Sequence, residues 1–220
     1  MNQLFVYFSY ITPIVLLYAC VVGVYSHSKT LAPLRYCTLY LFLMLVMDLA
    51  FRYFGLVASG KYNLFLFPVL ALFEFLTWAY IFYRFLLNKS TTLLVIVGLG
   101  VGLLLLDTLF VSKLFVLEEY RTYSRAISNL AIITFSLLYY YKSLKDEVPN
   151  ALYLRLNSGI LFYSAINLLV FSSLNFLVNE SINLVVAFWV LNIVASNVFY
   201  LFLTYQIWQH GKIRKPLQYG

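Results

Sequence analysis

The sequence predicts an all-α fold: a polytopic membrane protein of seven transmembrane helices, forming one domain over residues 1–220, with the N-terminus outside and the C-terminus cytoplasmic. Three observations lead there. Hydrophobic residues make up 63% of the chain and charged residues only 10%, against about a quarter charged in a soluble domain. The apolar residues gather into seven stretches, each near the length of about 20 residues that a helix needs to cross the hydrocarbon layer. The remaining charge sits in short connectors, and its positive part is strongly one-sided.

The first stretch, 4–25, contains Pro13 and is followed by Lys29 and Arg35. It lacks a positive segment before it, so an uncleaved helix is expected rather than a secretory signal. Leu17, Tyr18, Ala19 and Cys20 resemble a lipoprotein cleavage box only faintly, because Tyr18 is bulky. The second, 36–57, carries Asp48 and Arg52 four residues apart and therefore on one face. The third, 64–86, holds Pro68 and Glu74. The fourth, 93–112, has Gly98, Gly100 and Gly102 and ends near Asp107. No strand precedes these glycines and no Lys-Ser/Thr pair follows them, so they suit close helix approach rather than a phosphate loop.

The fifth stretch, 123–141, aligns Arg125, Ser128, Asn129, Ile132 and Ser136 in one stripe; the sixth, 156–178, aligns Tyr163, Asn167 and Phe171. The seventh, 184–208, aligns Trp189, Asn192, Ser196 and Tyr200. Cys20 and Cys37 fall in the cytoplasmic halves of the first two helices, so free thiols are expected.

The connectors set the orientation. Lys29, Arg35, Arg84, Lys89, Lys142, Lys145, Arg155, Lys212, Arg214 and Lys215 lie on one side, and only Lys61, Lys113 and Arg121 on the other. Ten against three puts the first side in the cytoplasm. The net charge of +7 then belongs to rims that meet anionic lipid head groups. Spread over several loops, it forms no stripe for a nucleic acid. The longest cytoplasmic connector, 142–155, has no room for an effector domain, so any signal must pass to a separate partner.

The residues most informative about function are those whose charge or amide lies within the apolar stretches. A charge at the centre of a helix costs about 2.5–3.5 kcal/mol on insertion scales, so such residues turn toward a bundle interior. By the helical rise, Arg52 and Asp107 lie roughly 8 Å below the outer end of their helices, Asp48 and Glu74 about 13–15 Å, and Arg125 about 3 Å. Asn129, Asn192 and Asn167 lie at about 9, 12 and 16 Å by the same rise. A bundle open to the outside would hold a ligand at this level. The expected ligand-binding residues are Asp48, Arg52, Glu74, Asp107, Arg125, Asn129, Asn167, Trp189 and Asn192.

Each of these also has a structural reading. Asp48 and Arg52 can neutralise one another within their helix. Glu74, with no opposite charge at helical spacing, is either protonated or paired across helices. Asp107 can be hydrated, and Arg125 can be an interfacial anchor.

Several chemistries are excluded by composition. A retinal Schiff base needs a lysine in the last helix, and residues 184–208 contain none. A zinc hydrolase needs several histidines, and His27 and His210 both lie at the cytoplasmic edge. The Pro-Gln signature of seven-helix sugar carriers is absent, and no histidine lies at the depth required for a Ser-His-Asp triad. No cofactor or metal is expected. What remains is a receptor or sensory module with an outward-facing polar pocket for a small ligand. A small-molecule or proton-coupled transporter is one alternative, and an intramembrane lipid hydrolase using paired carboxylates is another.

Leu156 to Ser164, Phe188-Trp189 followed by Asn192-Ile193 and Asn197 to Tyr200, and Glu74 followed by Phe82-Tyr83-Arg84 resemble uncharacterised seven-helix integral membrane proteins of Bacteroidota. The resemblance covers nearly the whole chain and implies a multi-pass protein of the inner membrane. Genes of that group are often found near those of sensor histidine kinases, which implies such a kinase, or another membrane partner, as the recipient of a signal.

Overall fold

A computed structural model describes residues 3–57, 63–112, 123–145, 150–177 and 182–213. These residues form seven helices and, among them, no strand: α1 (Gln3–Ser26), α2 (Ala32–Arg52), α3 (Leu66–Ile81), α4 (Thr91–Leu106), α5 (Ser124–Ser143), α6 (Ala151–Leu177) and α7 (Ile182–Ile213). Five of them, α2, α3, α4, α6 and α7, are long and apolar enough to cross a membrane. In α1 the stretch Tyr10–Ser26 is apolar, and α5 is the helix that carries the polar stripe.

All seven expected helices are present, but three boundaries move. α2 starts at Ala32 rather than 36, because Pro33 sits in its first turn, where its fixed φ suits a helix and no N–H is missed. α6 starts at Ala151 rather than 156: the Asn150 side-chain oxygen accepts the N–H groups of Leu152 at 3.0 Å and Tyr153 at 3.3 Å, an N-cap that hydrophobicity does not register. α7 continues past 208, and Lys212 lies 3.7 Å over the Trp208 ring. α2, α3 and α4 each widen at the C-terminal end into one π-helical turn, at Tyr53–Val57, Phe82–Leu86 and Asp107–Val111.

The packing order follows from which faces can be covered. α1 lies between α2 and α7, α7 also touches α2 and α6, α5 packs on α6 and α3, and α3 touches α2. These six helices close a ring. α4 leans on α3 and α5 from outside; only 17% of its span is buried, against 56% for α3. Gly100 allows that approach: a Cβ there would come within 2.6 Å of the Phe75 ring. Gly98 and Gly102 have nothing within 4 Å, so the contact uses one of the three glycines. Gly159 similarly lets Phe202 of α7 lie against α6.

The surface and interior are inverted relative to a soluble protein. Ile14, Leu17, Val21 and Val24 on α1, Leu39, Phe42, Val46 and Leu49 on α2, and Leu99, Leu103, Leu106 and Phe110 at the periphery are exposed, while Glu74, Asp107, Arg125, Asn129, Asn157 and Asn167 are buried. Apolar exposure on this scale would aggregate in water, and it matches hydrocarbon. Exposed threonine hydroxyls turn back onto their own helix, as when Thr77 donates to Phe73 O at 2.7 Å and Thr134 to Leu130 O at 2.9 Å. The fold is therefore an all-α membrane protein, with its polar groups turned inward.

Candidate functional site

Glu74, in the middle of α3, is 1% exposed. Its two carboxylate oxygens take different donors. Tyr40 of α2 donates to Oε1 at 2.9 Å, and Arg125 of α5 forms an ion pair and hydrogen bond with Oε2. A carboxylate without these donors could not stay charged in hydrocarbon. Of the two readings open for Glu74, pairing across helices is the one observed. Arg125 is correspondingly no interfacial anchor: it is 4% exposed, and its guanidinium lies 4.9 Å from the centre of the Phe171 ring. The side chain starts in the first turn of α5 and reaches inward, as a long stem allows.

A cage of hydrogen bonds holds this pair. Asn129 donates to Arg125 O at 2.6 Å, fixing the first turn of α5, and Ser128 donates to Ala71 O of α3 at 3.3 Å. Tyr40 packs on Trp78 with ring centres 4.8 Å apart. On the other side, Asn192 of α7 donates to Asn167 of α6 at 2.5 Å, and Asn167 donates to Tyr163 O at 3.1 Å. The stripes read from the sequence thus meet as facing pairs.

Beside the pair lies a partly open cavity of about 450 Å³. Its wall is built by all six ring helices and by none of α4. Met44, Met47, Phe51, Leu16, Phe67, Leu70, Phe171 and Trp189 supply the apolar surface. Thr12, Arg125, Tyr163, Asn192, Ser196 and Tyr200 supply polar groups, and Asp48, Arg52, Gly55 and Asn63 complete it toward the α2–α3 connection. Arg52 Nε and Asp48 are 2.7 Å apart, and Arg52 also lies 5.5 Å over the Tyr10 ring. Gly55 leaves room here: a Cβ would sit 2.8 Å from the Asn63 amide, whose Nδ2 donates to Phe51 O at 3.2 Å.

Of the nine residues expected at a site, Asp48, Arg52, Arg125, Trp189 and Asn192 line the cavity. Glu74, Asn129 and Asn167 stand behind that wall and hold lining residues in place. Asp107 does not join them. Its carboxylate accepts the Ser124 N–H at 2.9 Å, the Tyr123 N–H at 3.1 Å and the Ser112 hydroxyl at 3.2 Å, as well as the Ser124 hydroxyl. It caps α5 from the end of α4, where unsatisfied N–H groups and the helix dipole favour an anion. Asp48, Glu74 and Asp107 are thus each held by different partners.

Sequence reasoning missed Tyr40, Met44 and Met47, and named Tyr163 and Tyr200 only as members of stripes. Tyr40, Met44, Met47, Asp48 and Phe51 are spaced by helical steps of four, three, one and three, so the face of α2 that carries Asp48 already contained the signal. Among the described residues, no three His, Cys, Asp or Glu side chains cluster closely enough to hold a metal ion. No family model matches the chain, and no curated protein or solved structure matches it.

Proposed function

We propose that this chain is a membrane-embedded receptor or sensory module that binds a small ligand in the cavity and passes the change to a separate membrane or cytoplasmic partner. The observation that carries it is the double position of Arg125, which lines the cavity and also holds Glu74 of α3. A ligand that touches Arg125 acts on the contact that ties α5 to α3 and, through Tyr40, to α2. Differential affinity for two arrangements of that contact is all that a population shift requires.

The proposed setting is a multi-pass position in the inner membrane, with the N-terminus outside. Gly211 packs on Ser26, Lys142 at the end of α5 donates to Leu86 O at 3.0 Å beyond α3, and Tyr36, near the start of α2 just after α1, has its ring centre 5.6 Å from that of Phe85, so the C-terminal ends of α1, α3, α5 and α7 share one end of the bundle. At that end Lys29, Lys145 and Lys212 each lie over an aromatic ring, of Tyr25, Tyr141 and Trp208. Lysines and amphipathic rings at one rim fit the cytoplasmic interface and its anionic lipids. The resemblance to the Bacteroidota group makes a sensor histidine kinase the partner to try first.

The test uses purified protein reconstituted in vesicles. Neither the native protein nor Glu74→Gln is expected to carry protons or solutes across the membrane, or to turn over phospholipid. Proton-coupled uptake that Glu74→Gln abolishes would replace the receptor by a carrier. Lipid hydrolysis would replace it by an enzyme.

A further inference from the structure

Away from the cavity, the outer face of α3 ends on a cation. Val69, Phe73, Leu76 and Tyr80 form its exposed stripe, in helical steps of four, three and four, and one more step of four reaches Arg84, which is also exposed. Among the described residues, Arg84 makes no hydrogen bond, ion pair or ring contact. It stands in the π-helical turn that closes a span long and apolar enough to cross a membrane. A guanidinium at that level is drawn to the head-group region and its anions.

Tyr36 of α2 adds a second donor. Its hydroxyl lies 3.2 Å from that of Tyr80 on the exposed side, the two ring centres are 4.8 Å apart, and Phe85 packs 5.6 Å from Tyr36. One hydroxyl donates to the other, and the accepting one keeps its own proton for an outside acceptor. Arg84 lies within electrostatic reach of the Tyr36 hydroxyl. A guanidinium with an O–H close by suits phosphate oxygens, which accept strong charge-assisted hydrogen bonds.

Two further features narrow the occupant. The described acidic residues, Asp48, Glu74 and Asp107, lie in the middle of the bundle or toward its far end, so none of them is placed here to receive an ammonium head group. The stripe that leads away from Tyr80 is apolar for about three turns, the surface that an acyl chain covers.

We propose that Arg84 and the Tyr36–Tyr80 hydroxyl pair bind the phosphate of an anionic phospholipid whose acyl chain lies along Leu76, Phe73 and Val69. The head group bridges α2 and α3 at their shared end. This site is separate from the cavity and does not depend on what the cavity holds.

The test is native mass spectrometry of the full chain in detergent, titrated with dioleoylphosphatidylglycerol or dioleoylphosphatidylcholine. The native chain is expected to bind the glycerol lipid at least roughly fivefold more tightly, as one basic residue near a head group gives. Arg84→Gln should weaken that binding about tenfold, and Tyr36→Phe with Tyr80→Phe roughly threefold. The double tyrosine variant keeps the ring packing and carries the test by itself should Arg84→Gln not fold. Lys212→Gln, which removes the same charge at the same end of the bundle, should change it by less than about twofold, because a screened charge acts weakly at a distance. Equal binding of the two lipids, equal losses in Arg84→Gln and Lys212→Gln, or full binding by the double tyrosine variant would overturn the site. Displacement of the lipid by glycerol 3-phosphate at comparable concentration would overturn the lipid as occupant and make it a site for free phosphates.

Discussion

Removing the Arg125 guanidinium tests the centre of the fold directly. In Arg125→Met the stem is kept and the charge lost, so Glu74 retains Tyr40 as a donor but loses its counter-charge. Breaking a buried pair from one side costs about 3–5 kcal/mol, whereas replacing both partners by apolar residues is often close to neutral. At about 2–4 °C per kcal/mol for a chain of this size, the single variant should melt roughly 6–20 °C lower. The double variant Glu74→Met with Arg125→Met loses the pair entirely and orphans only the Tyr40 hydroxyl, worth about 1–3 kcal/mol. Its midpoint should therefore lie above that of either single variant. Thermal unfolding in one detergent, with the four proteins compared as a cycle, measures the coupling. Additive losses in the double variant would mean that the two side chains do not stabilise one another, and the account of the core would fail.

Two further outcomes follow from the packing. Asp107→Ala should destabilise by about 1–3 kcal/mol through loss of the α5 cap, read as a lower melting midpoint; an unchanged midpoint would contradict the cap. Gly100→Val should cost about 1–3 kcal/mol by overpacking against Phe75, whereas Gly98→Ala and Gly102→Ala should be neutral or stabilise by up to about 1 kcal/mol each; equal losses at all three positions would contradict the one-glycine contact.

Much of the fold is legible because it is local. The number of helices follows from the number of apolar stretches, and Asp48 and Arg52 meet because four residues make about one helical turn. The polar stripes of α5, α6 and α7 are equally local, and they do face inward. Where α6 begins was not legible from hydropathy, since Asn150 caps it six residues before the apolar stretch starts. Asp107 illustrates a different limit. Depth along its helix matched that of Arg52, but depth says nothing about rotation around the bundle, and its neighbour proved to be the start of α5.

The sequence by itself determined that this is a helical membrane protein whose ionisable groups must be sheltered, since the cost of charge in hydrocarbon depends on residue type and depth alone. Only the tertiary structure decided that Arg125 shelters Glu74, that α4 stands outside the ring, and that the cavity forms among the other six helices. Those outcomes depend on how each helix is rotated and which helix lies beside it. That is set by the summed packing of many side chains, such as Phe75 against Gly100 and Tyr40 against Trp78, and no single spacing along the chain records it.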